Sequence, residues 1–161
     1  MTFSDQLKAI AAKNRRTLEL VVKETVREVA AMAVERSPVG QYDKWSQAGK
    51  KWNPRPPYKP GEFKGSWSYG EGAAPVMYPS TIDPTGAMSM ARMQPGNAFA
   101  KHFIVNNAPY GFVLATDIHP LIPNWKLLPP NVAMFLQNGG AIMSTKLEFQ
   151  SIVDRVAKRY V

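Results

Sequence analysis

Apolar residues recur at spacings of three and four from the start of the chain: Phe3, Leu7, Ile10, Leu18, Val21, Val22, Val29, Met32 and Ala33 fall on one stripe of a helix. The spacing predicts a helix from Ser4 to Arg36, opened by Ser4-Asp5 and stopped by Ser37-Pro38-Val39-Gly40. Glu19 and Lys23, four residues apart, are expected to pair on its outer face. Such a helix runs to about nine turns, against three to four for an average helix. It is therefore expected to overhang its own core and to pack partly on a neighbouring subunit; the alternative is a helix that covers only its own sheet.

The pattern then breaks. Residues 41–62, QYDKWSQAGKKWNPRPPYKPGE, carry four prolines, two glycines and five Lys or Arg among Tyr42, Trp45, Trp52 and Tyr58, and neither a helical nor a strand period survives. This reads as a long arm. Structureless loops beyond about 12–15 residues are uncommon in compact domains and tend to be functional, and an exposed tryptophan is expected to meet something. Docking on another subunit is the expectation, through Tyr42, Trp45, Trp52, Arg55 and Tyr58. A nucleic-acid contact, with bases stacked on the aromatics, and a loop folded back on its own core are the competing readings.

Beyond the arm, Phe63, Gly65, Trp67 and Tyr69 alternate with Lys64, Ser66 and Ser68, the period of a half-buried strand. A Gly-, Ala- and Pro-rich linker follows to Ser80, and Asp83-Pro84 is expected to cap and open a short helix through about Met93. Phe99 to Asn106 is near-continuously apolar and predicts a second, central strand. Pro109 to Thr116 is expected to be a short helix or extended segment. A proline-rich insertion at 117–130 carries Trp125, a further candidate contact residue, and precedes a short apolar helix over Asn131 to Gln137 that stops at Asn138-Gly139-Gly140. In the closing helix Thr145 and Glu148 form a capping box, with Phe149, Ile152, Val153, Val156 and Tyr160 on one face and Lys158 and Arg159 complementing the C-terminal dipole. The expected fold is α+β: a long N-terminal helix and a C-terminal helix packed on a small β-sheet, with extended proline- and aromatic-rich loops, in one domain over 1–161.

Size and composition narrow the function. A chain of 161 residues can bury roughly 70% of the surface its unfolded form exposes, enough for a core without staples. No cysteine is present, which excludes disulfides and thiolate metal sites. No stretch approaches the ~20 apolar residues that span a bilayer, and residues 1–13 lack the apolar run of an export signal; neither membrane nor export is expected. The net charge of +8 is spread as +2 over residues 1–36, +3 over 37–72, +1 over 73–140 and +2 over 141–161. Such a field favours approach to nucleic acid or an acidic surface without marking one site.

Candidate chemistry is thin. His102 is expected to be a packed or hydrogen-bonded strand histidine, and His119 has no second ligand at metal spacing. The run Gly65-Ser66-Trp67-Ser68-Tyr69-Gly70 lacks the strand-to-helix elbow around a nucleophilic serine, and neither glycine-rich stretch has the Lys-Ser/Thr of a phosphate loop. Asp83 and Asp117 could pair as carboxylates, but nothing else supports acid/base work, and Asp83 is more simply a cap. Met88, Met90 and Met93 read as core or interface filler. No catalytic residue, metal or cofactor is expected; a polymer hydrolase is the enzymatic alternative, motivated only by the Trp- and Tyr-rich loops.

The order of these pieces resembles a known family. The long helix ending in Arg36-Ser37-Pro38-Val39 is followed by Gly61-Glu62-Phe63-Lys64-Gly65-Ser66-Trp67, similar to a "TGRLRGSW" element, and by Asp83-Pro84-Thr85-Gly86, similar to a "DPSG" helix start. Phe103 to Tyr110 is similar to a strand followed by "NNxPYA", and Leu147 to Val153 to an "EFQxIVD" closing helix. These elements belong to the neck and tail-component proteins of long-tailed bacteriophages, related to the tail-completion proteins of the lambda minor tail protein Z type. The resemblance implies a virion protein, made in the host cytoplasm, that forms a ring of six copies at the head–tail junction. Its partners would be itself, adjacent neck or connector proteins and the tail tube or its terminator, with sequence-blind DNA contact in the channel. A tail terminator is the runner-up within that reading, and a sequence-nonspecific DNA-binding module the alternative from another class. The arm and the longer proline-rich insertion after Tyr110 depart from the family's pattern.

Overall fold

A computed structural model describes residues 2–37, 39, 59–108 and 140–160. Helix α1 spans Phe3–Glu35, 33 residues, or about 50 Å at 1.5 Å per residue. It starts one residue earlier than the pattern predicts because Thr2, not Ser4, is the cap. The Thr2 hydroxyl accepts the Asp5 N–H at 3.2 Å, and the Asp5 carboxylate accepts the Thr2 N–H at 2.9 Å. This closes a capping box. The expected Glu19–Lys23 pair is replaced by Arg15–Glu19, also four apart, at 3.4 Å. At the other end Ser37 continues the structure: its hydroxyl donates to Ala33 O at 2.8 Å and accepts the Trp67 indole N–H at 2.7 Å.

The arm boundary and the first strand differ from expectation. Residues 41–58 lie outside the described residues, but Gly61 and Glu62, expected in the arm, are buried and belong to the fold. Glu62–Gly65 winds into a helical turn, α2, and strand β1 occupies only Trp67–Glu71. The reason is visible in the sequence. Phe63 and Trp67 are two apart in alternation but also four apart in helical spacing, and burying both rings against one core, centroids 6.0 Å apart and edge-on, favours the turn. Gly65 permits it: a Cβ there would sit 2.3 Å from Thr81 O and 2.9 Å from Asp83 N.

The short helix α3 is Ala87–Arg92, starting later than the predicted Pro84. Asp83 still caps it from a distance, accepting the Met88 N–H at 2.7 Å and the Thr85 N–H and hydroxyl at 3.0 and 2.6 Å. From α3, Ser89 donates to Lys64 O at 2.8 Å, and Arg92 to Gly65 O at 2.9 Å and Thr81 Oγ1 at 2.7 Å. These bonds occupy carbonyls that α2 leaves open. Strand β2 is His102–Asn106 and pairs antiparallel with β1, Trp67 opposite Asn106 and Glu71 opposite His102. Phe99 and Ala100 sit in the preceding turn instead of the strand, where Asn97 Oδ1 accepts the Phe99 N–H. Among the described residues β2 has β1 as its sole neighbour, so it is not central there.

Helix α4 is Gly140–Ala157 and begins five residues before the predicted capping box. Thr145 is therefore inside the helix and buried, on one face with Ile152 and Val156, while Phe149 is exposed. Glu148, released from capping, pairs with Arg36. Lys158 and Arg159 fall just past the helix, and Arg159 meets Glu28 at 2.6 Å beside Arg155 at 2.7 Å. These pairs run α4 antiparallel along the second half of α1. The C-terminal helix thus packs on α1 and not, as expected, on the sheet; its apolar face matches a helix groove. On another side of α1, Ala30, Ala33 and Val34 join Phe63, Trp67, Met93 and Ala108 in the core, flanked by Tyr69, Tyr78, Met90 and Ile104. The class is α+β.

Candidate functional site

All six residues named from sequence as contacts, Tyr42, Trp45, Trp52, Arg55, Tyr58 and Trp125, lie outside the described residues, as do Asp117 and His119, the segment Pro109 to Thr116, the insertion at 117–130 and the helix at Asn131 to Gln137. The described surface offers other features. Every residue from Thr2 to Arg16 is exposed. Phe3, Leu7, Ile10 and Leu18, which a helix places on one face, are 75%, 51%, 57% and 50% exposed. The same face continues into Thr25 and Glu28, where α4 covers it. The sequence pattern located this stripe correctly, and the expected overhang is present.

A second feature was missed. In the linker before α3, Val76 and Met77 are 91% and 77% exposed, yet the backbone beneath them is fixed. The Asn107 side-chain amide donates to Pro75 O at 2.8 Å and Met77 O at 3.2 Å. Tyr78 packs against the core, and Pro75 lies over Gly70, where a Cβ would sit 2.9 Å from its Cδ and 2.3 Å from Ala73 O. The Pro75 and Pro79 that bracket the pair were the available signal.

The one polar cluster on the sheet is Tyr69, Glu71 and His102. The Tyr69 hydroxyl donates to Glu71 Oε1 at 2.9 Å and lies 2.7 Å from His102 Nδ1, while His102 Nε2 is 3.3 Å from Ala98 O. His102 is thus the packed, hydrogen-bonded histidine that its strand position implied. Burial, and then the bond to Glu71 and its charge, push the Tyr69 phenol well above its ordinary value. The Gly96 N–H, and then the Tyr69 hydroxyl, hold the Glu71 carboxyl below the ordinary glutamate range; the Asn97 N–H adds to this. A phenol that keeps its proton and a carboxylate committed to two backbone amides make a poor acid/base pair. Their geometry instead pins the turn at residues 96–98 to the end of β1.

Compared with known proteins, the chain matches no family model, no curated protein and no solved structure. Among the described residues, no group of three or more His, Cys, Asp or Glu could hold a metal ion, and no helix is long and apolar enough to cross a membrane. Asp83 is spent on its turn: burial pushes its carboxyl up, but the bonds from Thr85, Met88 and Gly86 outweigh this and hold it below the ordinary range. Met93 is core, Met90 half-buried and Met88 exposed. The arrangement can present apolar surface to a partner; it assembles no reactive group.

Proposed function

We propose that this chain is a non-enzymatic structural subunit of a long-tailed phage virion, one of about six copies in a ring that completes the tail or joins it to the head, ring symmetry being the usual outcome when one surface must repeat. The observation that carries the reading is where the family-like pieces meet. Ser37 of the helix-ending turn accepts the Trp67 indole N–H, Gly65 lies against Thr81 and Asp83, and Asn106 donates to Phe63 O at 2.7 Å. Elements scattered over seventy positions of sequence thus interlock at one centre, as parts of one inherited fold would. The uncovered first half of α1 supplies the intersubunit surface that a ring needs. Partners on this reading are further copies, the adjoining neck or connector proteins and the tail tube or its terminator; a terminator role on the tube end is the nearest variant.

Particles assembled without this chain test the proposal: filled heads and separate tails should accumulate, whereas joined, infectious particles would contradict it. A second reading, sequence-blind DNA binding, draws on Lys8, Lys13, Arg15 and Arg16, all exposed on the first half of α1. A mobility shift of duplex DNA at low salt, lost as salt is added, would favour it; no shift at low salt would remove it.

A further inference from the structure

The stripe on α1 and the Val76–Met77 knob are different in kind. One is a groove-seeking helical face about 24 Å long at 1.5 Å per residue; the other is a two-residue projection held rigid from below by Asn107, Pro75 and Tyr78. A ring of identical subunits closes through a heterologous contact, which requires two unlike patches on each copy, each used once.

We propose that the knob of one copy packs on the Phe3–Leu7–Ile10 stripe of the next, so that the occupant of the stripe is a second copy of this chain. The inference rests on the ring reading above. Charge selects the pairing. Between Thr2 and Arg16 the chain carries Lys8, Lys13, Arg15 and Arg16 against Asp5 alone, and Asp5 is bound to the Thr2 cap. Stripe against stripe would bring two such basic helices together, and like charges across an interface oppose association. Residues 72–82, which carry the knob, contain no charged side chain, so the knob meets the stripe without repulsion. Phosphate or an acidic surface would answer the basic residues but leave Phe3, Leu7 and Ile10 uncovered. Preorganisation favours the knob further, because its backbone loses little freedom on docking. Ala9, Ala11 and Ala12 keep the helix slim beside the stripe, which lets a neighbouring backbone approach.

The absence of cysteine makes the contact directly testable by disulfide trapping in the full chain. Leu7→Cys and Met77→Cys are prepared separately, both at exposed positions, and oxidised with air alone and mixed. The expected result is a linked dimer in the mixture at several times the yield of either variant alone, and, for the double variant, a ladder of linked copies. Ile10→Cys with Val76→Cys repeats the test one turn along. Self-linking of Leu7→Cys at the yield of the mixture would replace the pairing with stripe on stripe, and no enrichment in either mixture would overturn it. The two readings fail separately. A ring at the head–tail junction without the link sinks the pairing alone, and a link in a chain absent from the particle sinks the ring reading alone.

Discussion

Trp67 and Ser37 decide more of this fold than their size suggests. The indole is 1% exposed and its N–H has the Ser37 hydroxyl as partner, while that hydroxyl in turn holds Ala33 O at the end of α1. Removing the hydroxyl leaves a buried donor without its acceptor. Ser37→Ala should therefore cost about 1–3 kcal/mol, read as a lowered urea midpoint with an unchanged m-value. A midpoint equal to the parent's would mean that the indole N–H finds another partner. Residue-level signals in the sequence worked where the chemistry is local: Asp83 serves as a cap and His102 as a bonded strand histidine. Such signals could not reveal the Asn107 clamp, because its two carbonyl partners lie 30 and 32 residues away and no periodicity encodes them.

At the scale of elements, α1 was legible because nine apolar positions keep a helical period over its whole length, and its Ser-Pro stop is strong. The segment from Glu62 to Tyr69 was not, since its residues satisfy both a period of two and a spacing of four, and only the burial of Phe63 against Trp67 selects the turn. The start of α4 was misplaced for a related reason: a Thr three residues before a Glu suits a cap, but here Thr145 faces the core and Glu148 faces Arg36. The α1–α4 contact carries a pH signature. Burial pushes the Glu28 carboxyl up, but the bonds and charges of Arg155 and Arg159 outweigh it and hold Glu28 below its ordinary value. A carboxylate depressed in the folded state contributes stability above its unfolded value, about 4.3, and loses it as pH falls through the folded one. Glu28→Gln should lower stability by about 1 kcal/mol near neutrality, the scale of an exposed ion pair, and the gap from the parent should close below about pH 4. Urea titrations at neutral and acid pH measure this, and a gap that persists in acid would assign the cost to packing.

For the whole molecule, the α+β class was readable, but the arrangement of layers was not: sequence periods say which face of α4 is apolar without saying whether a helix or a sheet receives it. The contact residues proposed from composition, Trp45 and Trp52 foremost, fall outside the described residues, and the apolar surfaces that are described lie on α1 and the clamped linker. The arm still has a role in the account. Deleting residues 43–58 should leave a protomer with parental helical circular dichroism that no longer enters particles; normal infectious particles from that deletion would remove the arm from assembly. The most direct measurement is cryo-electron microscopy of the head–tail junction of the phage carrying this chain. The account predicts a symmetric ring of copies there, with the first half of each α1 covered by its neighbour. Density at the junction fully explained by other proteins, with no place for α1 and α4, would contradict it.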